Sequence, residues 1–507
     1  MPMATHMRKM KKKVIKKFKA LNKIQLRSLC ANKFKMIIVF TCIVVALLAV
    51  LMCFIFPVSD VTYFWNWSVI NVKETHFPRD FLWGTATAAH QVEGDNDKNQ
   101  WFTFENGGFT NSDKNIANYE RSGIACNHYN LYREDISMMK KDLGVNSYRF
   151  SIEWSRIEPS KGNYDMNAVQ HYHDVIDELL KNDIKPLVTL HHFTEPQWFA
   201  DLGGFEHFEN IEHFVKFSEF VFRAYSKKVE IWCTINEPNV YIVEGYISGS
   251  FPPAKHSIVT ALKVTTVMCE AHVRVYRALK KISEELNVKS QIGLVLQLSQ
   301  VDPQNRYNPI DRICTFAAEK ISVGLYLDFF SKGSMYVPFL VNYANTDAVG
   351  ANDFFGVNYY RNDFFGMTLD IPPIKSVKDY KNREYNDMDW EIYPEGIYRA
   401  IELVNKTLPG LPIIVTENGL ADAKDAKRAK FFDRYLYAVN KAIQDGCPVK
   451  GYMAWSLMDN FEWASGFYPR FGLYKMNYKT MKRTLRSGAK PFIETIKKWK
   501  VENNIKD

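Results

Sequence analysis

Two glutamates, Glu237 and Glu417, each end an apolar, β-rich run of the chain. The first run reads VEIWCTINE and stops at Pro238, and the second reads LPIIVTE and stops at an Asn-Gly pair. Such runs predict buried strands, and the carboxyl end of a strand is where a (β/α)8 barrel carries its reactive groups. Glycoside hydrolysis usually uses two carboxylates that flank one glycosidic bond. Either glutamate alone could equally be a strand-end partner in a salt bridge, so it is the pair that indicates a catalytic site.

Strand-like and helix-like segments alternate through most of the chain and would position these glutamates. Strands are predicted at residues 81–88, 147–153, 185–191, 230–235, 291–298, 354–358, 412–416 and 451–457. Amphipathic helices are predicted at residues 129–143, 168–182, 208–227, 260–286, 394–406 and 424–444, with a closing helix at 490–500. Strands that alternate with helices favour a parallel sheet, and a single (β/α)8 TIM barrel is the natural closed form at this length.

Positive charge is concentrated at the start of the chain. The formal net charge is +9, but residues 1–35 hold twelve Lys and Arg and no Asp or Glu, which leaves 53 basic against 56 acidic residues elsewhere. Because the rest of the chain is nearly neutral, a nucleic-acid partner is not indicated.

An uncharged segment of 21 residues, Met36–Phe56, follows the basic tail. Its length matches the roughly 20 apolar residues that span a bilayer, and no small-residue cleavage site comes after it. The pattern predicts a basic cytosolic tail at 1–35, a transmembrane signal anchor at 36–56, a tether at 57–74 and a barrel domain at 75–500. The prediction is therefore a single-pass type II membrane protein whose catalytic domain is lumenal or extracellular, with the membrane as a partner through residues 36–56.

Two further features depend on that orientation. The sequons at Asn66 and Asn405 would accept N-linked glycans in a lumenal or extracellular domain, which would make the protein a glycoprotein. The aromatic residues of the tether, among them Trp65 and Trp67, would lie at the membrane interface or pack on the barrel.

Seven longer motifs lie in order along the chain. They are FLWGTATAAHQVEG (81–94), YRFSIEWSRIEP (148–159), TINEP (234–238), GVNYY (356–360), DMDWEIYPEGIY (387–398), VTENG (415–419) and WSLMDNFEWASGFYPRFGL (455–473). Together they resemble the family-1 glycoside hydrolases, the β-glucosidase family, over roughly residues 76–500. The resemblance implies a retaining β-glycosidase that hydrolyses terminal β-D-glucosyl residues by double displacement, with β-galactosyl or β-fucosyl residues as alternative substrates.

The resemblance also implies roles for particular residues. Glu417 would be the ionised nucleophile and Glu237 the protonated general acid/base, because two nearby carboxyls push each other's pKa values apart. Arg149 and Tyr360 match positions that hold the nucleophile and keep it ionised. The implied substrate-binding residues are Gln91, His192, Asn236, Asn358, Trp390, Trp455, Glu462, Trp463 and Phe471.

Some of these matches carry a more specific expectation. Asn236 would bind the sugar 2-hydroxyl, Trp455 would form an aromatic floor under the sugar, and Trp390 would flank the leaving-group site. Glu462 would repel phosphate, so we expect a neutral sugar rather than a 6-phosphoglycoside. Residues 191–196, HHFTEP, depart from the YHWDLP common in the family, and Phe193 lacks an indole N–H that could bind a sugar hydroxyl.

Two alternative functions fit the same residues. A transglycosylase would use both glutamates but pass the sugar to an alcohol, whereas a non-catalytic carbohydrate-binding member would typically lack one of them. No metal-ligand cluster or nucleotide-binding loop is apparent in the sequence, so neither a metal nor another cofactor is expected. The expected partner is a small-molecule or oligosaccharide β-glycoside, and no oligomeric state is predicted.

Overall fold

Eight parallel strands close into a barrel in this computed structural model of the protein. The first strand pairs with both the second and the eighth, which closes the ring. The strands are β1 Leu82–Ala86, β2 Ser147–Ser151, β3 Lys185–His191, β4 Ile231–Asn236, β5 Gln291–Gln297, β6 Phe354–Tyr359, β7 Ile413–Gly419 and β8 Val449–Trp455. Burial is nearly continuous along each of them, as expected where helices cover the outer face and side chains fill the inside. The predicted barrel and its eight strand positions are confirmed.

The structure describes residues 64–367, 374–378 and 383–506, together with Lys16. By its contacts the chain separates into two compact units. The larger unit, residues 61–302, 317–364 and 376–507, contains the whole barrel. In the smaller unit, the described segments are 303–316, 365–367 and 374–375, and the Gln304 N–H donates to the Phe365 carbonyl at 2.8 Å.

Helices separate and follow the barrel strands. The α-helices are Ala89–Val92, Gln100–Glu105, His128–Met138, Trp154–Ile157, Met166–Lys181, Gln197–Asp201, Ile211–Tyr225, Pro238–Ile242, Ile258–Leu286, Pro309–Glu319, Leu325–Lys332, Pro394–Thr407, Arg428–Gln444 and Lys490–Glu502. Short 3-10 turns lie at Asp113–Asn115, Ala117–Tyr119, Gly204–Glu206, Phe208–Asn210, Thr346–Ala348, Trp463–Ser465 and Ser487–Ala489, and π turns at Met139–Leu143, Val243–Ser248 and Lys320–Gly324. The strands outside the barrel are Gln300–Pro303, Ser334–Val337, Val341–Ala344, Asn362–Met367, Ile374–Val377, Tyr474–Asn477 and Lys482–Leu485.

The helix Met166–Lys181 illustrates why these segments are helical. The Asp165 side chain caps it by accepting hydrogen bonds from the Asn167 and Ala168 N–H groups. Its buried residues recur three or four positions apart, so one face packs against the barrel: Ala168, Val169, Tyr172, Val175, Ile176 and Leu179.

The strand pairing is irregular near both glutamates. The β4–β5 register shifts between Cys233 and Asn236, and the β7–β6 register shifts between Val415 and Glu417. Such irregularities re-aim side chains at the rim of a barrel and are common next to active sites.

The described part of the predicted tether packs on the barrel's outer helices. The Trp65 N–H and the Trp67 indole N–H both donate to Oε1 of Glu395, at 2.8 and 2.9 Å. The Trp65 ring lies 5.5 Å from Tyr398 and 5.8 Å from Tyr437. Of the two positions considered for these tryptophans, the structure therefore favours packing on the barrel.

The predicted membrane localisation is overturned. Across the residues that the structure describes, no helix is both long and apolar enough to cross a bilayer. The segments that suggested the prediction, residues 1–35 and 36–56, lie outside the described residues. An uncharged apolar run shows only that a segment has the composition of a membrane span, and composition alone does not establish one. The predicted membrane partner and the glycans at Asn66 and Asn405 depended on that localisation and lose their support with it.

Candidate active site

Both predicted catalytic glutamates lie at the carboxyl ends of barrel strands. Glu237 directly follows β4, and Glu417 lies within the last residues of β7. Their side chains are buried, with 5% and 3% exposure. Glu237 also has a φ of 43°, in the left-handed region that a residue with a Cβ rarely adopts. Backbone strain of this kind is concentrated at functional sites.

Glu417 is held on both carboxylate oxygens. Arg149 on β2 forms a close ion pair with Oε1, and the Tyr360 hydroxyl donates to Oε2 at 2.6 Å. Burial raises the pKa of Glu417, while the Arg149 charge and the hydrogen bond from Tyr360 lower it. Arg149 itself is fixed by Thr189, whose hydroxyl accepts from Nε at 3.2 Å.

Glu237 has a less polar environment. Its Oε1 accepts a 2.7 Å hydrogen bond from the neutral amide of Asn358. Burial raises the pKa of Glu237 well above its usual range, and the nearby charge of Glu417 raises it further. This difference favours an order of ionisation in which Glu417 loses its proton before Glu237 does.

Asn236 connects these groups to His192. Its side-chain oxygen accepts from Arg149 Nη2 at 2.6 Å and from Asn358 Nδ2 at 3.1 Å. Its amide nitrogen donates to Nε2 of His192 at 3.1 Å, so the ring proton of a neutral His192 must be on Nδ1. Burial lowers the pKa of His192 well below its usual value, and that Nδ1 has no partner among the described residues. It is therefore a donor available to a ligand hydroxyl.

Gln91 and Glu462 form a second polar group. The Gln91 amide donates to the Phe461 carbonyl at 2.8 Å and to Glu462 Oε2 at 3.3 Å. Its own oxygen is buried without a partner in the described part of the chain. Burial raises the pKa of Glu462 to about 8, and the charge of Glu417 contributes. A protonated carboxyl at this position can both donate to and accept from a sugar hydroxyl.

Aromatic rings enclose the site on two sides. The Trp455 and Trp463 rings both stack near His192, at 6.0 and 6.1 Å. On the other side, the Trp390 ring lies 5.7 Å from Tyr360 and 6.0 Å from Phe471. Aromatic faces of this kind suit the C–H face of a sugar ring or an apolar leaving group.

The barrel brings all the predicted site residues into one connected set in the larger unit. They are Glu237, Glu417, Arg149, Tyr360, Gln91, His192, Asn236, Asn358, Trp390, Trp455, Glu462, Trp463 and Phe471. Two supporting residues, Thr189 and Thr416, were missed. Thr416 donates to the Asn358 side-chain oxygen at 2.6 Å and so orients its amide toward Glu237. The available signal was a threonine next to apolar residues in each strand, in PLVTL of β3 and in IIVT of β7.

Comparisons with known proteins identify the family of the chain. The sequence model of glycosyl hydrolase family 1 matches residues 73–501. The chain belongs to this family. As a family-1 member it is an O-glycosyl hydrolase, and the predicted resemblance is confirmed.

The chain matches its family-1 relatives over almost their full lengths. Beta-glucosidase A of Acetivibrio thermocellus is 32% identical over an alignment of 451 residues, which covers 83% of this chain and 98% of the relative. A beta-galactosidase of Pyrococcus woesei is 30% identical, over 81% of this chain and 94% of the relative. Among solved structures, a beta-glycosidase from Pyrococcus horikoshii is 36% identical with a TM-score of 0.75, covering 85% of this chain and 99% of its own. The family-1 β-glucosidase of Thermotoga maritima is 30% identical with a TM-score of 0.77, covering 86% of this chain and 100% of its own.

Proposed function

We propose that the protein is a retaining β-glycosidase that removes terminal β-D-glucosyl residues by double displacement, with Glu417 as nucleophile and Glu237 as general acid/base. The observation that carries the proposal is the difference between the two carboxyl environments. Glu417 lies between a guanidinium and a tyrosine hydroxyl, which favour its charge, whereas the Glu237 carboxyl accepts its hydrogen bond among the described residues from a neutral amide. The proposed catalytic domain spans residues 75–500.

The first step forms a glycosyl ester. A Glu417 oxygen attacks the anomeric carbon while the bond to the leaving oxygen breaks, and Glu237 gives its proton to that oxygen. Esterification removes the negative charge of Glu417. Because that charge raises the pKa of Glu237, its loss lowers that pKa, so Glu237, which has just given up its proton, stays ionised as the carboxylate that serves as base in the next step.

The second step releases the sugar. Glu237 takes a proton from water, and the water oxygen attacks the anomeric carbon from the side that the leaving group vacated. The ester bond breaks, and Glu417 returns as a carboxylate. Two inversions leave the configuration of the anomeric carbon unchanged.

The remaining residues would bind the sugar. Asn236 would contact the 2-hydroxyl, while Gln91, His192 and Glu462 would bind the other hydroxyls through the donors and acceptors described above. Trp455 and Trp463 would pack on the ring, and Trp390 and Phe471 would line the leaving-group side. The names of the relatives include both β-glucosidase and β-galactosidase, which supports the choice of β-glucosyl with β-galactosyl as the next candidate.

Trapping the ester tests this proposal. A 2-deoxy-2-fluoro-β-glucoside with a dinitrophenyl leaving group should inactivate the protein and raise its mass by one fluoroglucosyl group. Proteolysis should place the label on the peptide that contains Glu417, and Glu417→Gln should not be labelled. A label on another peptide, or turnover without any trapped ester, would contradict the assignment.

A further inference from the structure

A buried carboxyl outside the catalytic pair, Glu195, lies in the loop that follows β3. Its side chain is 3% exposed. Oε1 accepts a 3.1 Å hydrogen bond from the Tyr241 hydroxyl, and Oε2 has no partner among the residues that the structure describes. A buried polar group with so few contacts is costly, so its presence calls for a reason.

The groups around Glu195 leave it neutral. It lies near Tyr241, Tyr246 and Glu206, and the His191 ring packs 5.6 Å from the Tyr241 ring. The charge of Glu206 is paired with Lys255 at 2.5 Å. Burial raises the pKa of Glu195 to about 8, and Glu206 contributes to that rise. Burial alone lowers the pKa of His191 to about 3, so this ring carries no charge that could pair with Glu195. At neutral pH the hydrogen bond between Glu195 and Tyr241 therefore joins two uncharged groups.

Tyr241 belongs to the helix that begins at the proposed acid. The helix Pro238–Ile242 starts directly after Glu237, and the Tyr241 N–H donates to the Glu237 carbonyl at 3.0 Å. Because Glu237 is held in a left-handed conformation, its backbone depends on neighbouring contacts to keep that geometry. The Tyr241 side chain supplies one such contact at the end of the first turn.

The other end of this hydrogen bond is anchored independently. The Glu195 N–H donates to Oε1 of Gln100 at 2.8 Å, and the Gln100 N–H donates to the Glu195 carbonyl at 3.1 Å. Glu195 also follows His192 by three residues in the chain. The hydrogen bond between Glu195 and Tyr241 thus connects the loop after β3 to the helix after β4.

We propose that Glu195 and Tyr241 are positioning residues that hold Glu237 in the orientation needed to protonate the leaving oxygen. The inference rests on the proposed role of Glu237. If the pair is broken, the start of the helix can shift, and a displacement of about 1 Å can cost roughly 100-fold in rate. The loss should be confined to substrates that need the acid, because a good leaving group departs with little help from a proton.

Leaving-group dependence tests the proposal. We expect Tyr241→Phe to lower kcat/KM by roughly tenfold for phenyl β-glucoside and by less than about twofold for 2,4-dinitrophenyl β-glucoside. The matched control is Tyr225→Phe, which removes a buried hydroxyl that donates to the Val169 carbonyl at 2.9 Å, away from Glu237. This control should change kcat/KM by the same factor for both substrates.

Two substitutions of Glu195 provide a second comparison. Glu195→Gln keeps an acceptor for Tyr241 and should keep the wild-type leaving-group dependence. Glu195→Leu removes the acceptor and should behave like Tyr241→Phe. This comparison tests the positioning role even if Tyr241→Phe does not fold.

Three outcomes are decisive. Equal losses for both substrates in Tyr241→Phe, or wild-type dependence in Glu195→Leu, would overturn the positioning role. If Glu237→Ala shows the leaving-group dependence and these variants do not, only the positioning role is wrong. If Glu237→Ala itself shows none, the proposed acid is wrong and the positioning role is wrong with it.

Discussion

The Tyr360 hydroxyl donates a 2.6 Å hydrogen bond to Oε2 of Glu417, on the oxygen that Arg149 does not pair with. Each carboxylate oxygen therefore has its own donor, and both donors favour the charged form. Burial works in the opposite direction, since it raises the pKa of Glu417. Burial is the larger effect, so the pKa of Glu417 is raised overall, and the two donors limit that rise, which can be tested by removing one of them.

Tyr360→Phe should move the acid limb of the pH profile. Without the hydroxyl, the charged form of Glu417 loses a hydrogen bond worth about 1.5–3 kcal/mol, so its pKa rises by roughly 1–2 units. The acid limb of kcat/KM should therefore shift to higher pH by the same amount. The measurement is a pH–rate profile with an activated aryl β-glucoside, and Tyr225→Phe should leave the profile in place. An unchanged acid limb would show that Tyr360 does not stabilise the charge of Glu417.

Glu237→Ala should separate the two catalytic steps. Without the acid, kcat/KM for a poor leaving group should fall by roughly 100- to 10,000-fold, while a dinitrophenyl substrate should be affected far less. The second step would then lack its base. Added azide, which needs no base, should restore turnover and give the β-glycosyl azide.

The configuration of the azide product is the control for this experiment. In Glu417→Ala, azide can replace only the nucleophile, so any rescued product should be the α-glycosyl azide. The opposite pattern, with α product from Glu237→Ala and β product from Glu417→Ala, would exchange the two assignments. No rescue in either variant would argue against a glycosyl ester.

The barrel was predictable because most of its strands are buried on both faces and read as short segments rich in apolar residues between amphipathic helices. The positions of Glu237 and Glu417 followed from where those runs stop. The contact between Glu195 and Tyr241 could not be predicted in the same way, since it joins the loop after β3 to the helix after β4 and no periodicity relates residues 46 positions apart. For Trp65 and Trp67, composition allowed two environments, and only the contacts with Glu395 distinguish them.

The expected rejection of phosphorylated sugars near Glu462 needs a different physical basis. The expected rejection of 6-phosphoglycosides assumed a charged carboxylate, but burial raises the pKa of Glu462 to about 8, so the group is mostly protonated at pH 7. We still expect a neutral β-glucoside to be preferred, by at least roughly 100-fold in kcat/KM, because burying a phosphate without a paired cation costs several kcal/mol.

Glu462→Gln separates charge from burial as the cause. If burial excludes the phosphate, the variant should still prefer the neutral sugar, with a ratio that stays within roughly tenfold of the wild-type value. A large gain toward the 6-phosphoglucoside in Glu462→Gln would show instead that the charge of Glu462 is responsible. Faster hydrolysis of the 6-phosphoglucoside by the wild-type protein would refute the expected preference itself.

The raised pKa of Glu195 also predicts how stability depends on pH. In the unfolded chain a glutamate loses its proton near pH 4.3, whereas in the folded protein Glu195 keeps its proton until about pH 8. Between these values the folded state binds more protons than the unfolded state, so Glu195 makes the protein less stable as pH rises.

Glu195→Gln stays neutral in both states and should escape this loss. Its stability relative to the wild type should therefore increase from pH 5 to pH 8, by up to a few kcal/mol, in chemical denaturation at each pH. Glu209→Gln, at a side chain that is 76% exposed, should show no such trend. A constant difference between Glu195→Gln and the wild type across this range would mean that Glu195 is ionised in the folded protein.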